Sequence, residues 1–164
     1  MIIGGGLLGY SIDNRLFPNL SQQNIFISFS ILLGIIILFV MIRISRNTGR
    51  TLAKYGREGK IKRMETNRLV KEGIYSYMRH PMHLGLFLFP LGIAFFIASP
   101  SFILIIAPFE ILFMLIMIKL FEEPEAIAKF GQEYIDYKKE VPWFCFKKKC
   151  LQELLKKIPK TQKN

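Results

Sequence analysis

The chain has 164 residues, of which 51% are hydrophobic, and its formal net charge is +11. That length allows one domain and little more. Residues 25–42 carry no charge and residues 84–118 carry only Glu110, so the apolar and basic residues are segregated, unlike those of a soluble basic protein. Lysine and arginine beside apolar segments attract anionic head groups. We therefore expect membrane lipids as partners and no nucleic acid.

The first predicted elements are N-terminal membrane segments within residues 1–42. A bilayer core of about 30 Å takes roughly 20 apolar residues in a helix, which residues 25–42 satisfy within normal tolerance. The apolar run of residues 1–12 is too short to span alone, and it either continues toward Leu20 or lies in the interface. Whether residues 1–20 span the membrane stays open, so we expect three to four transmembrane helices.

Residues 43–83 form a predicted cytoplasmic connection, partly helical, with a turn at Glu72 and Gly73. Residues 84–121 follow as a transmembrane hairpin of two helices, 84–98 and 101–120. Ser99, Pro100 and Ser101 form the tight turn between them. Because a charge inside the bilayer is costly, Glu110 is expected to face other helices rather than lipid.

Residues 122–146 are predicted as a cytoplasmic segment, with an amphipathic helix over 122–139 that is interrupted around Gly131. The tail of residues 147–164 has seven lysines against one glutamate. It is either a solvated tail or a lipid-binding amphipathic turn. Cys145 and Cys150 are expected to be free thiols, because this side of the membrane is predicted to be reducing.

Topology follows from the distribution of basic residues, which are enriched in cytoplasmic loops. Residues 43–71 contain ten lysines and arginines and residues 119–164 contain eleven, whereas the turn at residues 99–101 contains none. Residues 43–83 and the C-terminus are therefore predicted to be cytoplasmic. The fold class is all-α integral membrane protein.

Three clusters of residues have a chemical character. Arg79 and His80 precede Pro81, which suits the first turn of a helix, and the spare N–H groups of a helix start attract anions. Glu122 and Glu123 are expected at the same face of the membrane, at the end of the next helix. Each feature alone is ordinary, since Arg79 could be an interfacial anchor that snorkels. His80 and His83 are three residues apart, but with no cysteine nearby we expect no metal.

Taken in order, these clusters resemble the isoprenylcysteine carboxyl methyltransferase and phospholipid methyltransferase superfamily. Its pattern is roughly L-V-x-x-G-x-Y-x-x-x-R-H-P-x-Y-x-G, an apolar hairpin, E-E, then F-G-x-x-Y-x-x-Y and V-P, which residues 67–142 match. The resemblance implies a membrane-bound, S-adenosylmethionine-dependent methyltransferase with a lipid or lipid-linked acceptor. It also implies a cytoplasmic cofactor pocket formed by the helical hairpin and the C-terminal segment, within one membrane-embedded domain over residues 1–164.

The resemblance also implies roles for particular residues. Catalytic roles fall on Arg79, His83 and Glu123. An amine acceptor would need a base, for which His83, Glu123 or Tyr134 could serve. The implied cofactor contacts are Asn67, Arg68, Leu69, Val70, Tyr75, His80, Pro81, Met82, His83 and Glu122.

Two positions depart from the family pattern. His83 replaces the usual tyrosine of the first motif, and Ile118 replaces an arginine that contacts substrate in the isoprenylcysteine enzymes. The second departure weakens the expectation of a prenylcysteine carboxylate as acceptor. Methylation of a phospholipid amine, a nicotinamide-dependent membrane reductase of similar fold and a non-enzymatic scaffold are the alternatives.

Overall fold

The structure is a computed structural model that describes Gly9, residues 12–59 and residues 66–156, without the Ser21 side chain. All regular secondary structure in these ranges is helical, which confirms the all-α prediction. Most of the predicted run of residues 1–12, and the tail beyond residue 156, lie outside the described residues.

The helices of the described residues are α1 at Pro18–Ser21, α2 at Asn24–Tyr55, α3 at Pro81–Phe96, α4 at Phe102–Phe130, α5 at Gln132–Glu140 and α6 at Lys148–Leu155. Residues 12–16 are helical and precede α1, a single turn. A 3₁₀ turn at Gly73–Ser76 lies in the connection after α2, where the sequence predicts a turn.

Helices α2 and α4 have the length and surface of membrane spans. Only 11% of the most apolar stretch of each helix is buried, and Ile25, Phe29 and Phe109 are largely exposed. The core helix of a soluble protein would bury such side chains, whereas a lipid-facing helix exposes them. The chain is therefore an integral membrane protein. Helix α3 is apolar but has only 16 residues, and the expected number of three to four spans stays a prediction.

The predicted hairpin is present, but its second helix is longer than expected. Helix α4 does not end near Leu120. It continues to Phe130, and it contains π-helical turns at Phe102–Ile106 and Ile118–Glu122. The predicted break at Gly131 is confirmed, because this residue has a φ of 57° between α4 and α5. A π turn often marks a functional site, and the second one leads directly into Glu122 and Glu123.

The chain divides into two compact units, the first comprising residues 1–41 and 86–118. In this unit, the buried Asp13 carboxylate accepts hydrogen bonds from the Ser99 hydroxyl and from the Ser101 N–H, the latter at 2.7 Å. These bonds hold the turn before α4. A Cβ atom on Gly34 would lie 2.4 Å from the backbone nitrogen of Phe96, so only glycine permits this approach of α2 to α3. Glu110 is half-buried.

The second unit comprises residues 42–85 and 119–164. Its apolar interior includes Ile74 and Met78 of the connection and Leu154 of α6. The predicted free thiols are wrong, because Cys145 and Cys150 form a disulfide. The first turn of α6 brings their Cα atoms to 6.0 Å, a separation typical of disulfides.

Candidate active site

A buried ion pair between Arg79 and Glu123 lies at the centre of the second unit. Nη2 and Nε of Arg79 lie 2.9 Å and 3.1 Å from Oε1 of Glu123. Nη1 donates to the carbonyls of Lys138 and Val141, at 2.8 Å and 2.7 Å. The guanidinium thus connects the start of α3 to Glu123 in the C-terminal part of α4 and to the end of α5. A buried charge is tolerated only with such partners.

Glu123 has partners on both carboxylate oxygens. Oε2 lies 2.6 Å from Nζ of Lys138, and Oε1 also accepts from the Tyr134 hydroxyl at 3.1 Å. Burial alone would raise the pKa of Glu123, but Lys138, His80 and Arg79 lower it to about 2. The carboxylate is therefore ionised, and its side chain is only 4% exposed.

His80 precedes α3 and is oriented by this carboxylate. Its Nε2 lies 3.2 Å from Oε1 of Glu123. Burial lowers the pKa of His80 below its ordinary value, despite the opposing effect of Glu123, so the ring is neutral at neutral pH. A neutral imidazole beside an ionised carboxylate carries its proton on the facing nitrogen. Nδ1 of His80 is therefore left as a hydrogen-bond acceptor.

The backbone around His80 is held by the segment after α5. The Arg79 and His80 N–H groups donate to the carbonyls of Pro142 and Trp143, at 2.9 Å and 3.2 Å. The rings of His80 and Trp143 meet edge to face with centroids 5.9 Å apart. The V-P motif therefore positions the R-H-P motif through main-chain hydrogen bonds.

Glu122 has an environment unlike that of its neighbour. Its side chain is 43% exposed, and Oε1 lies 2.7 Å from Nε2 of His83. That hydrogen bond is the main cause that lowers the pKa of Glu122, against the opposing effect of burial. Nδ1 of His80 lies 3.9 Å from the other oxygen. Glu122 is thus an accessible, ionised carboxylate beside the free face of His80.

Of these side chains, those of Arg79, His80, Glu122 and Tyr134 border a cavity of about 160 Å³. Its polar wall includes Arg68, Tyr75, His80 and Glu122, and its apolar wall includes Leu69, Val70, Ala126 and Phe130. Burial raises the pKa of Tyr75, with Tyr137 adding to the effect, so its hydroxyl stays protonated.

The structure brings only some of the expected cofactor residues to this cavity. Asn67 instead stabilises the connection between α2 and α3, because its side-chain amide forms two hydrogen bonds with the backbone of Glu58. Pro81 and Met82 do not line the cavity, and His83 reaches it only through Glu122. The cavity-lining residues among those predicted are Arg68, Leu69, Val70, Tyr75, Arg79, His80 and Glu122.

Sequence reasoning left out several lining residues. Ala126 and Phe130 lie on the end of α4, and Tyr137 lies on α5. The signal for Phe130 and Tyr137 was the F-G-x-x-Y-x-x-Y motif, whose two tyrosines are three residues apart and so share a helix face; Ala126 had no such signal. Tyr134 and Tyr137 pack with Val141 in one apolar cluster.

Three of these side chains could also act as metal ligands. One ligand atom each from His80, His83 and Glu122 lies within 4.8 Å of the others. Two histidines and a carboxylate are a common zinc set. The expectation of no metal stays a prediction.

Comparison with known proteins gives concordant matches. The family model described as phospholipid methyltransferase matches residues 26–133. The protein-S-isoprenylcysteine O-methyltransferase of Schizosaccharomyces pombe is 34% identical over 87 residues, which cover 49% of this chain and 34% of that protein. The mouse protein of the same name is 32% identical over 84 residues, covering 48% of this chain and 27% of its own length. This chain therefore spans about a third of the length of these relatives.

A solved structure has a similar fold. It is that of the eukaryotic intramembrane Ras methyltransferase, isoprenylcysteine carboxyl methyltransferase, with a TM-score of 0.59 and 20% sequence identity. The similarity covers 88% of this chain and 51% of that one. At this identity the likeness concerns the fold alone.

Proposed function

Because the chain belongs to the phospholipid methyltransferase family, we propose that it is a membrane methyltransferase that uses S-adenosylmethionine to methylate a lipid or lipid-linked acceptor. The observation that carries the proposal is the pairing of Glu122 with the free Nδ1 of His80 at the wall of one cavity. Both are acceptor groups, and they face the same space.

The residues present fit this cofactor. S-adenosylmethionine is zwitterionic, and its ammonium group matches the Glu122 carboxylate and Nδ1 of His80. Arg68 offers a guanidinium for its carboxylate, and Leu69 and Phe130 offer apolar surface for its base. At 160 Å³ the enclosed space is smaller than the roughly 300–1,000 Å³ of common ligand pockets. Only part of the cofactor would be enclosed, and the rest would lie at the exposed side where Arg68 and Glu122 are found.

When bound, the cofactor supplies an electrophilic methyl group for in-line displacement. The protein's contribution is alignment and exclusion of water. We infer that Arg79 and Glu123 act as positioning residues, since all the observed donors of Arg79 point at protein acceptors and Glu123 lies behind His80. Of the residues predicted to be catalytic, His83 is the most exposed, at 19%, and its Nε2 lies 2.7 Å from Oε1 of the accessible Glu122.

The acceptor is proposed from the relatives and from one position in the chain. The curated relatives are named protein-S-isoprenylcysteine O-methyltransferase, which supports a lipid-linked acceptor. A phospholipid amine is the second candidate. It is favoured because the fully buried Ile118 occupies the position at which the isoprenylcysteine enzymes have a substrate-binding arginine. This position therefore has no positive charge to bind an acceptor carboxylate.

The membrane orientation is proposed from charge. Residues 43–83 and the C-terminus would be cytoplasmic, because they hold most of the lysines and arginines. The cavity would then open to the cytoplasm, where the cofactor is made.

Calorimetry in detergent tests the proposal. We expect the protein to bind S-adenosylmethionine, and we expect His80→Ala and Glu122→Gln to weaken binding by about tenfold or more, as for lost charge-assisted hydrogen bonds. Glu125→Gln is the matched control, since Glu125 is exposed on α4 and does not line the cavity. Binding of a nicotinamide cofactor instead, or of neither, would refute the proposal. Methyl incorporation from labelled cofactor into a prenylated cysteine with a free carboxylate, or into a phospholipid amine, then identifies the acceptor.

A further inference from the structure

A second, larger cavity is bordered by the segment that follows α5 and by the start of α6. It has a volume of about 530 Å³, and Tyr77, Phe146 and the lysines at 147, 148 and 149 line it. The three lysines are exposed. None of the described residues that line this cavity is acidic, so its surface is strongly positive.

Helix α6 beside this cavity has two different apolar faces. Cys150 and Leu154, four residues apart, are buried against the rest of the unit. Leu151 and Leu155, also four apart, remain exposed, and Phe146 just before the helix is 70% exposed. Exposed apolar side chains beside lysines are typical of a helix that lies in the membrane interface.

The end of α6 is attached at the level where α2 leaves the bilayer. The Asn47 amide donates to the carbonyls of Glu153 and Leu154, at 3.0 Å and 2.7 Å, and Arg43 donates to the carbonyl of Leu155 at 3.3 Å. Arg43 is the first charged residue after the apolar stretch of residues 25–42. Because that stretch occupies the hydrocarbon core, α6 is fixed at head-group depth.

We propose that Tyr77, Phe146 and Lys147 to Lys149, together with Leu151 and Leu155, form a docking surface for anionic lipid, the basic–aromatic surface. The lysines receive the phosphate-bearing head group in the 530 Å³ cavity, and Phe146 enters the acyl boundary. None of the described residues of this surface is acidic, so no carboxylate within it neutralises the lysines. The surface therefore selects a head group with a net negative charge. The nearby Glu153 is already paired with Lys156, at 3.3 Å. This binding does not depend on methyl transfer.

Hydrogen exchange in lipid nanodiscs tests the surface. Amides of residues 146–155 are compared in phosphatidylcholine alone and in a mixture with about a quarter phosphatidylglycerol. We expect exchange about tenfold slower in the anionic mixture, because three lysines near a negative surface act together. The difference should vanish in about 0.5 M salt, which screens exposed charges.

Two variants and a matched control separate the contributions. The triple variant K147Q/K148Q/K149Q should lose the dependence on phosphatidylglycerol, and Phe146→Ser should speed exchange in both lipids. The control K71Q/K129Q/K139Q removes the same charge outside the surface and should keep the dependence. Equal exchange of the wild type in both lipids, or the same loss in the control, would overturn the proposal. So would equal protection by free inorganic phosphate in phosphatidylcholine discs, since the ligand would then be a soluble anion.

Discussion

Glu122 and Glu123 are adjacent in sequence, but replacing each by glutamine should affect a different property. The change at Glu123 should lower the stability of the fold, and the change at Glu122 should weaken cofactor binding. In Glu123→Gln the buried Arg79 loses its charge partner at 2.9 Å, and Lys138 loses its partner at 2.6 Å. Removing one member of a buried ion pair costs about 3–5 kcal/mol. The pair with Lys138 adds little, about 0–1 kcal/mol, because the Lys138 side chain is 42% exposed. We therefore expect Glu123→Gln to be destabilised by about 3–5 kcal/mol.

Glu122→Gln should leave stability nearly unchanged. Its side chain is 43% exposed, and glutamine can still hydrogen-bond His83, so the loss should be below about 1 kcal/mol. Its effect should fall on cofactor binding, because the ionised carboxylate that faces the cavity is removed.

Thermal unfolding in detergent and calorimetry measure the two effects separately. For a chain of this size, each kcal/mol shifts the Tm by roughly 2–4 °C, so Glu123→Gln should lower it by roughly 10 °C. Glu122→Gln should behave like the control Glu125→Gln in unfolding and unlike it in binding. A Glu123→Gln variant as stable as Glu122→Gln would refute the role of Glu123 as the buried partner of Arg79.

Three further predictions concern pH, the turn before α4 and metal. The pKa of His80 is lowered in the folded state, so its contribution to stability is present above its unfolded pKa of about 6.5; we expect Tm to fall as pH is lowered below that value, and this fall to shrink in His80→Gln. Asp13→Ala should cost about 1–3 kcal/mol, measured as a fall in Tm, because the Ser101 N–H and the Ser99 hydroxyl lose their acceptor; a wild-type Tm would contradict this. Treatment with a chelator should leave calorimetric binding of S-adenosylmethionine unchanged, and its loss with recovery on adding zinc would show that His80, His83 and Glu122 hold a metal.

Much of the fold could be predicted from the sequence because the apolar and charged residues are separated. The uncharged residues 25–42 predict the membrane part of α2. Pro100 with its flanking serines predicts a break between α3 and α4, but the turn itself lies earlier, at residues 97–98, and Pro100 and Ser101 are already helical. Gly131 predicts the break after α4, since a φ of 57° favours glycine. Such signals are local, and a single sequence contains them.

The sequence could not predict which contacts would form between distant segments. The continuation of α4 past Leu120 runs through the π turn at Ile118–Glu122, and the hydrogen bonds of π turns leave no clear pattern in composition. The disulfide depends on the turn that brings Cys150 back toward Cys145. Asn67 was predicted to contact the cofactor, but its side-chain amide hydrogen-bonds to the backbone of Glu58, which is 9 residues away.

The two glutamates of the E-E motif differ in burial and in their partners, so the motif alone does not assign a role to either residue. Neighbouring helical residues point about 100° apart, so an E-E pair at a helix surface directs one carboxylate into the unit and leaves the other at its edge. Arg79 and Lys138 keep the buried Glu123 ionised against the effect of burial, so that it anchors His80. Exposure and the hydrogen bond with His83 make Glu122 an accessible acceptor. The π turn at Ile118–Glu122 changes the rotation per residue just before the pair, so ordinary α-helix in its place would rotate both side chains around the helix axis. The register of the pair is thus fixed by the turn before it.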